Sequence, residues 1–419
     1  MELNVVDFGA VGDGVTLNTA AIQKAIDECN KAGGGRVVIS GGTYLTGSFS
    51  MKSNVDLHIA SDGVLLGSPE CDDYPEHTDV KHVETEHLPR WRNASLIFAD
   101  ECENISLTGM GTIDCNGENF VEPRTSAGNG WKFLRKYHLP TPPRAVFFTG
   151  CRNVKVEDIT MINQPAGWSY WIHDCDYVTF DKVKVIANVN YPNNDGIHIN
   201  SSRNVTISNS SLTCGDDCLI VRANNVSLAE NKVCEKVVIT NCNLTSYSAA
   251  IRIGWVNDGT IRNCTFSNLV MSDCTRGVSI MLPYIEPNRN NPNSADMGRE
   301  ETLIENLSFN NIIMNKICDA PIAIEVSENP YVGCKGIRNI YFDNVHASGP
   351  EFPHLRGRES CHFENIWFTN CDFEVTDGSE FEDRTIHGAY WRSDVDYHPM
   401  LIRCVDNLQF NNTKFSIKR

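Results

Sequence analysis

Short runs of alternating apolar and polar residues recur along the chain, and Asn or Asp bounds most of them. Copies read Asn104-Ile-Ser-Leu, Asn153-Val-Lys-Val-Glu-Asp, Asn204-Val-Thr-Ile-Ser-Asn and Lys236-Val-Val-Ile-Thr-Asn. They continue as Asn306-Leu-Ser-Phe-Asn-Asn, Asn339-Ile-Tyr-Phe-Asp-Asn, Asn365-Ile-Trp-Phe-Thr-Asn and Asn407-Leu-Gln-Phe-Asn-Asn. Alternation at period two predicts short strands with one buried face. Asn and Asp between strands suit tight turns, because they tolerate left-handed backbone angles. The spacing clusters in the twenties and stretches where loops intervene. No unit can bury its apolar face alone, so the units must stack. Three short strands per coil predict an all-β fold: a right-handed, single-stranded parallel β-helix, one domain over residues 1–419.

The first part of the chain, to about residue 50, breaks the pattern. Asn18 is placed to cap a helix running to about Lys31, with Ala21, Ile22, Ala25, Ile26 and Cys29 on one face. Such a helix would cover the open end of the coil against edge pairing. Gly33-Gly34-Gly35 follows; without a Gly-Lys-Ser/Thr phrase behind it, it predicts a helix-to-strand turn rather than a phosphate loop.

Interruptions over about 71–93, 117–142, 281–302 and 376–399 predict inserted loops that build a cleft. They carry Trp91, Trp131, Tyr137, Tyr284 and Trp391. These rings suit stacking on sugars, or packing of the loops onto the coil. Cys151, Cys175, Cys242, Cys264 and Cys371 follow turn residues, which predicts small side chains stacked inside successive coils. Seventeen cysteines without a CxxC spacing disfavour structural zinc, and free thiols are expected over a disulfide framework. The sequons at Asn204 and Asn225 fall out of the repeat phrase and are not read as glycosylation sites.

A net charge of −17 disfavours nucleic acid and anionic membranes as partners. It also opposes an acidic polymer unless positive charge gathers in the cleft. No apolar run approaches the roughly 18 residues of a membrane span. Met1-Glu2-Leu3-Asn4 begins close to the fold with no leader pattern. The expected location is the cytoplasm, or a secreted or periplasmic site if a leader has been removed.

Two acidic phrases carry candidate chemistry: Asn193-Asn194-Asp195-Gly196-Ile197-His198 and Cys214-Gly215-Asp216-Asp217-Cys218. Asp195 and Asp217 are 22 residues apart, about one coil, and parallel neighbours lie about 4.8 Å apart. The three carboxylates should therefore converge on one patch. Glycosidic hydrolysis needs one carboxylic acid to protonate the leaving oxygen and a second carboxylate to activate water or attack. Mutual repulsion within the cluster favours one of them keeping a proton near neutrality. Turn-capping aspartates or a Ca²⁺ site would use the same residues.

Further phrases fill out the chain: Val6-Asp7-Phe8-Gly9-Ala10-Val11-Gly12-Asp13-Gly14, Gly42-Thr43-Tyr44-Leu45-Thr46-Gly47, Gly111-Thr112-Ile113-Asp114 and Gln164-Pro165-Ala166-Gly167-Trp168. With the two acidic phrases, the chain resembles the polygalacturonase family, glycoside hydrolase family 28, over nearly its whole length. That family comprises inverting pectin hydrolases on a right-handed parallel β-helix. The resemblance implies Asp216 as general acid, and Asp195 with Asp217 as the pair that positions and deprotonates water. Asn193 matches the first Asn of the family's Asn-Thr-Asp motif, and Asn194 replaces its Thr.

Two family motifs are altered. Ser248, within Ser246-Tyr247-Ser248-Ala249-Ala250, falls where the resemblance expects the His of Gly-His-Gly. His198 is a candidate to supply the missing support to the acid, or a structural histidine. Arg276-Gly277-Val278-Ser279-Ile280-Met281 puts Ser279 and Met281 at two cations that in the family bind a galacturonate carboxylate beside the broken bond. Arg252, one coil earlier, is a candidate to compensate, or is structural. The substrate-binding candidates are thus Asn193, His198, Ser248, Arg252, Trp255 and Tyr284. The reading is an inverting glycoside hydrolase for pectin-related or other plant or microbial glycans, needing no cofactor or metal. Long loops suggest a closed-ended pocket. A non-catalytic carbohydrate-binding β-helix and a β-helix lyase or epimerase are the alternatives.

Overall fold

The structure, a computed structural model, describes residues 1–84, 93–125, 131–136, 138–284, 298, 300–376 and 400–418. Trp91, Tyr137 and Trp391 lie outside these residues, as does most of the 281–302 and 376–399 interruptions. The strands form a 22-stranded and an 11-stranded sheet, in which consecutive coils pair in parallel. Among the described strands one ladder is antiparallel, the hairpin of Val121–Pro123 with Phe133–Arg135 in the 117–142 interruption. This is the expected parallel β-helix, wound in the right-handed sense that strand twist imposes on parallel crossovers.

The corners are made as the Asn pattern anticipates. Asn209, Asn241, Asn268, Asn311 and Asn344 all hold φ of 53–56°, as do Asn263, Asn306, Asn339, Asn365 and Asn407 at 55–58°. Each set forms a ladder in which one amide donates to the preceding coil's amide oxygen. Strands therefore run through a corner without a break, as Cys234–Ser246 does at Asn241. Inside, identical positions stack: Phe266, Phe309, Phe342 and Phe368 follow one another with ring centroids 4.7–4.9 Å apart, and the exposed Phe410 continues the stack at 5.2 Å. Such contacts add about 0.5–1.5 kcal/mol per pair beyond the area they bury.

Helix α1, Thr19–Lys31, buries Ile22, Ala25, Ile26 and Cys29 against the end of the coil. Asn18 stands at its N-cap but makes no capping bond with its side chain. That amide instead accepts from Val11 N–H (2.7 Å) and donates to the carbonyls of Thr16 and Val11. It ties down the preceding loop rather than the helix. Gly33 and Gly34, at φ of 96° and 111°, make the helix-to-strand turn.

Fifteen cysteines are free, Cys151, Cys175, Cys242, Cys264 and Cys371 among the buried ones. Burial pushes the Cys151 and Cys218 thiols well above their usual range, so they are packing groups rather than nucleophiles. Cys334 and Cys361 depart from the free-thiol expectation and form a disulfide. They are 27 residues apart, about one coil, which brings their Cα atoms to 6.0 Å.

Candidate active site

The 11-stranded sheet carries the site. Trp168–His173, Ile197–Asn200, Leu219–Arg222, Ala249–Ile253 and Arg276–Leu282 are consecutive rows of it. Tyr170, Ile197, Leu219, Ile251 and Val278 align and belong to the core. The alternate column, Trp171, His198, Ile220, Arg252 and Ser279, therefore lies on the outer side. Asp195 and the Asp216–Asp217 pair occupy the turns entering two of these rows, so pleat and pairing aim them at one patch.

The turn sequences follow from how closely the coils approach. A side chain on Gly196 would bring a Cβ within 2.2 Å of the Cys218 carbonyl oxygen. At Gly215 it would come within 2.5 Å of Asn194 Oδ1. Asn194, fully buried, braces both turns: its oxygen accepts from Gly215 N–H (2.7 Å) and its nitrogen donates to the Asn188 carbonyl (2.6 Å). Trp131 contributes from its loop by donating its indole N–H to the Gly215 carbonyl at 2.8 Å.

One oxygen from each of Asp195, Asp216 and Asp217 lies within 4.8 Å of the others. Their settings differ. Asp217 is buried and gripped by both Nε and Nη2 of Arg252, and it accepts from Ala249 N–H at 2.9 Å. Burial opposes the charge of Arg252, but Asp217 outweighs it and holds the guanidinium above its usual value. Asp195, also buried, meets His198 Nε2 at 3.0 Å. Asp216 is the more accessible of the three. It accepts from the backbone and side-chain nitrogens of Asn193, both at 3.3 Å, and from Asp217 N–H at 3.1 Å. Three carboxylates this close have the chemistry to hold a divalent cation, or to share acid and base roles.

Most candidates from the sequence meet here. Asn193 touches Asp216, His198 touches Asp195, and Arg252 touches Asp217. Ser248 accepts from Arg252 Nη2 through its hydroxyl oxygen at 3.5 Å. Trp255 lies between two cations, with Arg252 4.9 Å and Arg222 5.8 Å from its ring centre. Tyr284 instead faces Tyr331, with ring centres 6.5 Å apart, and no contact among the described residues joins it to the carboxylates. Ser279 and Met281 are both buried; Met281 Sδ lies 3.1 Å from Arg276 Nη1 and 3.9 Å from Arg252 Nη1.

Sequence reasoning missed three supports. Trp168 stacks on His198 with ring centres 4.0 Å apart. Ser246 donates its hydroxyl to the Asp216 carbonyl at 2.7 Å. Arg276, buried beside Met281, is held by Asp319 (2.7 Å) and Glu325 (3.2 Å). The signal for Trp168 was its distance of one coil before Asp195. Arg276 gave none, because Asp319 and Glu325 lie beyond an inserted loop.

Comparison with known proteins agrees with this arrangement. The model of the family "Glycosyl hydrolases family 28" matches residues 78–235, which include all three aspartates. A second model, "Rhamnogalacturonase A/epimerase, pectate lyase-like", matches residues 3–106. A Vitis vinifera protein named "Probable polygalacturonase" is 30% identical over 285 residues, 66% of this chain and 56% of its own length. The "Polygalacturonase" of Persea americana is 26% identical over 68% of this chain and 62% of its own length. The chain thus spans less than two thirds of either relative. An exopolygalacturonase structure from Thermotoga maritima has a TM-score of 0.73 at 22% identity, covering 99% of this chain and 92% of that one. The family 28 exopolygalacturonase of Yersinia enterocolitica has a TM-score of 0.75 at 22% identity, covering 100% of this chain and 76% of that one. No described helix is long and apolar enough to cross a membrane. Family model, relatives and fold point the same way: the chain is polygalacturonase-like, similar to glycosyl hydrolases family 28 over residues 78–235 and to exopolygalacturonase structures in fold.

Proposed function

We propose that the protein is an inverting glycoside hydrolase acting on pectin-related glycans, with Asp216 as general acid and Asp195 and Asp217 activating water. The observation that carries this reading is the unequal setting of three carboxylates in one patch. The two-point grip of Arg252 fixes the orientation of the Asp217 carboxylate, as a group that must hold water requires. Asp216 is the accessible member, which suits a group that must meet the oxygen of a departing sugar. In this reading Asp216 gives its proton to the glycosidic oxygen as the C–O bond breaks. Water held by Asp195 and Asp217 adds to the anomeric carbon from the opposite face and gives up a proton to that pair.

The polygalacturonase names of the relatives support a pectic substrate. Ser279 and Met281 argue for a change beside the scissile bond. Both are buried, and the two guanidiniums beside Met281 are already engaged, Arg276 with Asp319 and Glu325 and Arg252 with Asp217. A sugar without a carboxylate fits there better than galacturonate, as in a rhamnogalacturonan fragment or a substituted oligosaccharide.

The test is digestion of polygalacturonate, rhamnogalacturonan and neutral glycans, following reducing ends and ultraviolet absorbance together. New reducing ends without absorbance are expected. Rising absorbance would reveal an unsaturated product and replace hydrolysis by a lyase reaction. Neither signal across the panel would favour a carbohydrate-binding protein.

A further inference from the structure

We infer that the carboxylate site is a dead end on its N-terminal side, so that the glycan enters only from the C-terminal coils and is cut at a chain end. This rests on the hydrolase reading above. The outer face of the sheet is occupied on the rows before the aspartates. Phe98, Phe147, Trp168 and Trp171 form an apolar cluster of their own outside the coil, with Val83 and Leu228. Phe147 and Trp171 stack with ring centres 4.9 Å apart, and both are 1% exposed or less. Arg144, fully buried, places its guanidinium 4.2 Å from the Trp171 ring centre and 5.1 Å from that of Phe147.

A strap crosses over this cluster and is fastened along its length. Lys81 N–H donates to Asp100 at 2.8 Å, His82 Nε2 meets Asp174 at 2.9 Å, and Glu84 N–H donates to the Ser227 carbonyl at 2.9 Å. Val83 is thereby pressed into the aromatic cluster. The wall reaches the chemistry through two contacts, Trp168 on His198 and His198 on Asp195. A cavity of about 600 Å³ lined by Ser50, Lys81, Phe98 and Asp100 lies beyond the wall, on the rows Phe49–Ser50 and Ser95–Asp100. The rows bearing Phe147, Trp168 and Trp171 stand between it and the aspartates.

On the other side of the aspartates, the described residues line a cavity. This cavity, of about 310 Å³ and lined by Leu282, Glu325, Arg356, Leu401 and Arg403, spans the rows from Arg276–Leu282 to Leu401–Arg403. Apolar side chains beside a few charged ones are what a sugar ring needs, an apolar face with hydrogen-bonding edges. The His354–Arg356 row is the fourth after Leu219–Arg222, so at about 4.8 Å per row it stands roughly 19 Å from the aspartate turns. A polymer held there leaves only its end at the carboxylates.

The experiment uses the unmodified protein on polygalacturonate and on rhamnogalacturonan, with viscosity, reducing ends and product sizes measured through the reaction. One small product is expected from the earliest time point, while viscosity falls slowly against reducing ends. A ladder of intermediate lengths with a rapid fall in viscosity would overturn the dead end and leave hydrolysis standing. No new reducing ends from either polymer would overturn both. In the variant Arg356→Ala, KM for the polymer should rise several-fold more than KM for the shortest oligosaccharide cleaved. Equal changes would overturn the C-terminal path.

Discussion

At the scale of single residues, Arg252 is the most consequential side chain after the aspartates. It is buried with Asp217, and its fork geometry matches both carboxylate oxygens. Arg252→Ala would strand Asp217 as a buried carboxylate, at a cost of about 3–5 kcal/mol. The expected kinetic effect is a fall in kcat of orders of magnitude with a smaller change in KM, since the residue acts through Asp217. Arg252→Lys keeps the charge but not the fork and should recover only part of the loss. A large rise in KM at unchanged kcat would instead make Arg252 a substrate clamp. The aspartates themselves were legible in the sequence, because their spacing equals the repeat. The role of Arg252 was not: only the register that sets it between Ile220 and Ser279 shows that it reaches the aspartates.

At the scale of elements, the Asn ladders and the packed outer rows make separate demands. Asn268 holds φ at 54° and links Asn241 to Asn311. Asn268→Ala loses both ladder bonds and places a Cβ in the left-handed region. Asn268→Gly loses the bonds alone and should be the more stable by about 1 kcal/mol, measured by denaturant unfolding. Equal stabilities would show that the corner angle carries no cost. On the outer side, His173 bonds Ser227 Oγ (2.8 Å) and Asn200 Nδ2 (2.5 Å), and burial pushes its pKa down to about 3. The unfolded chain takes up this proton near the ordinary value of 6.5, and the folded chain only near 3. The stability contribution of neutral His173 is therefore full above 6.5 and declines as pH falls towards 3. The melting temperature of His173→Gln should fall less steeply than that of the parent across this window; parallel profiles would contradict the neutral, buried state. The alternation along Asn204-Val-Thr-Ile-Ser-Asn and its copies made the strands and corners readable. The strap over Phe147 and Trp171 was not readable, because His82, Asp174 and Ser227 lie far apart in the chain and no period links them.

At the scale of the whole molecule, one rigid sheet sets an aromatic wall, three carboxylates and a cavity in a row. The carboxylate oxygens approach within 4.8 Å, closer than the roughly 6.5–9.5 Å usual for inverting pairs. Inversion is nonetheless the outcome of the proposed activation of water by Asp195 and Asp217, and proton NMR of the first-formed product should show the opposite anomer to that of the substrate. A retained anomer would replace the water-activating pair by a nucleophile. The central claim, that Asp216 protonates the departing oxygen, is tested most directly by comparing two substrates in one variant. Asp216→Asn should lose about 10²–10⁴-fold in turnover on a natural glycosidic linkage. The same variant should keep most of its turnover on an aryl glycoside whose acidic phenol leaves without help, with circular dichroism unchanged. An equal loss on both substrates, or no loss on either, would contradict the assignment of Asp216 as the acid.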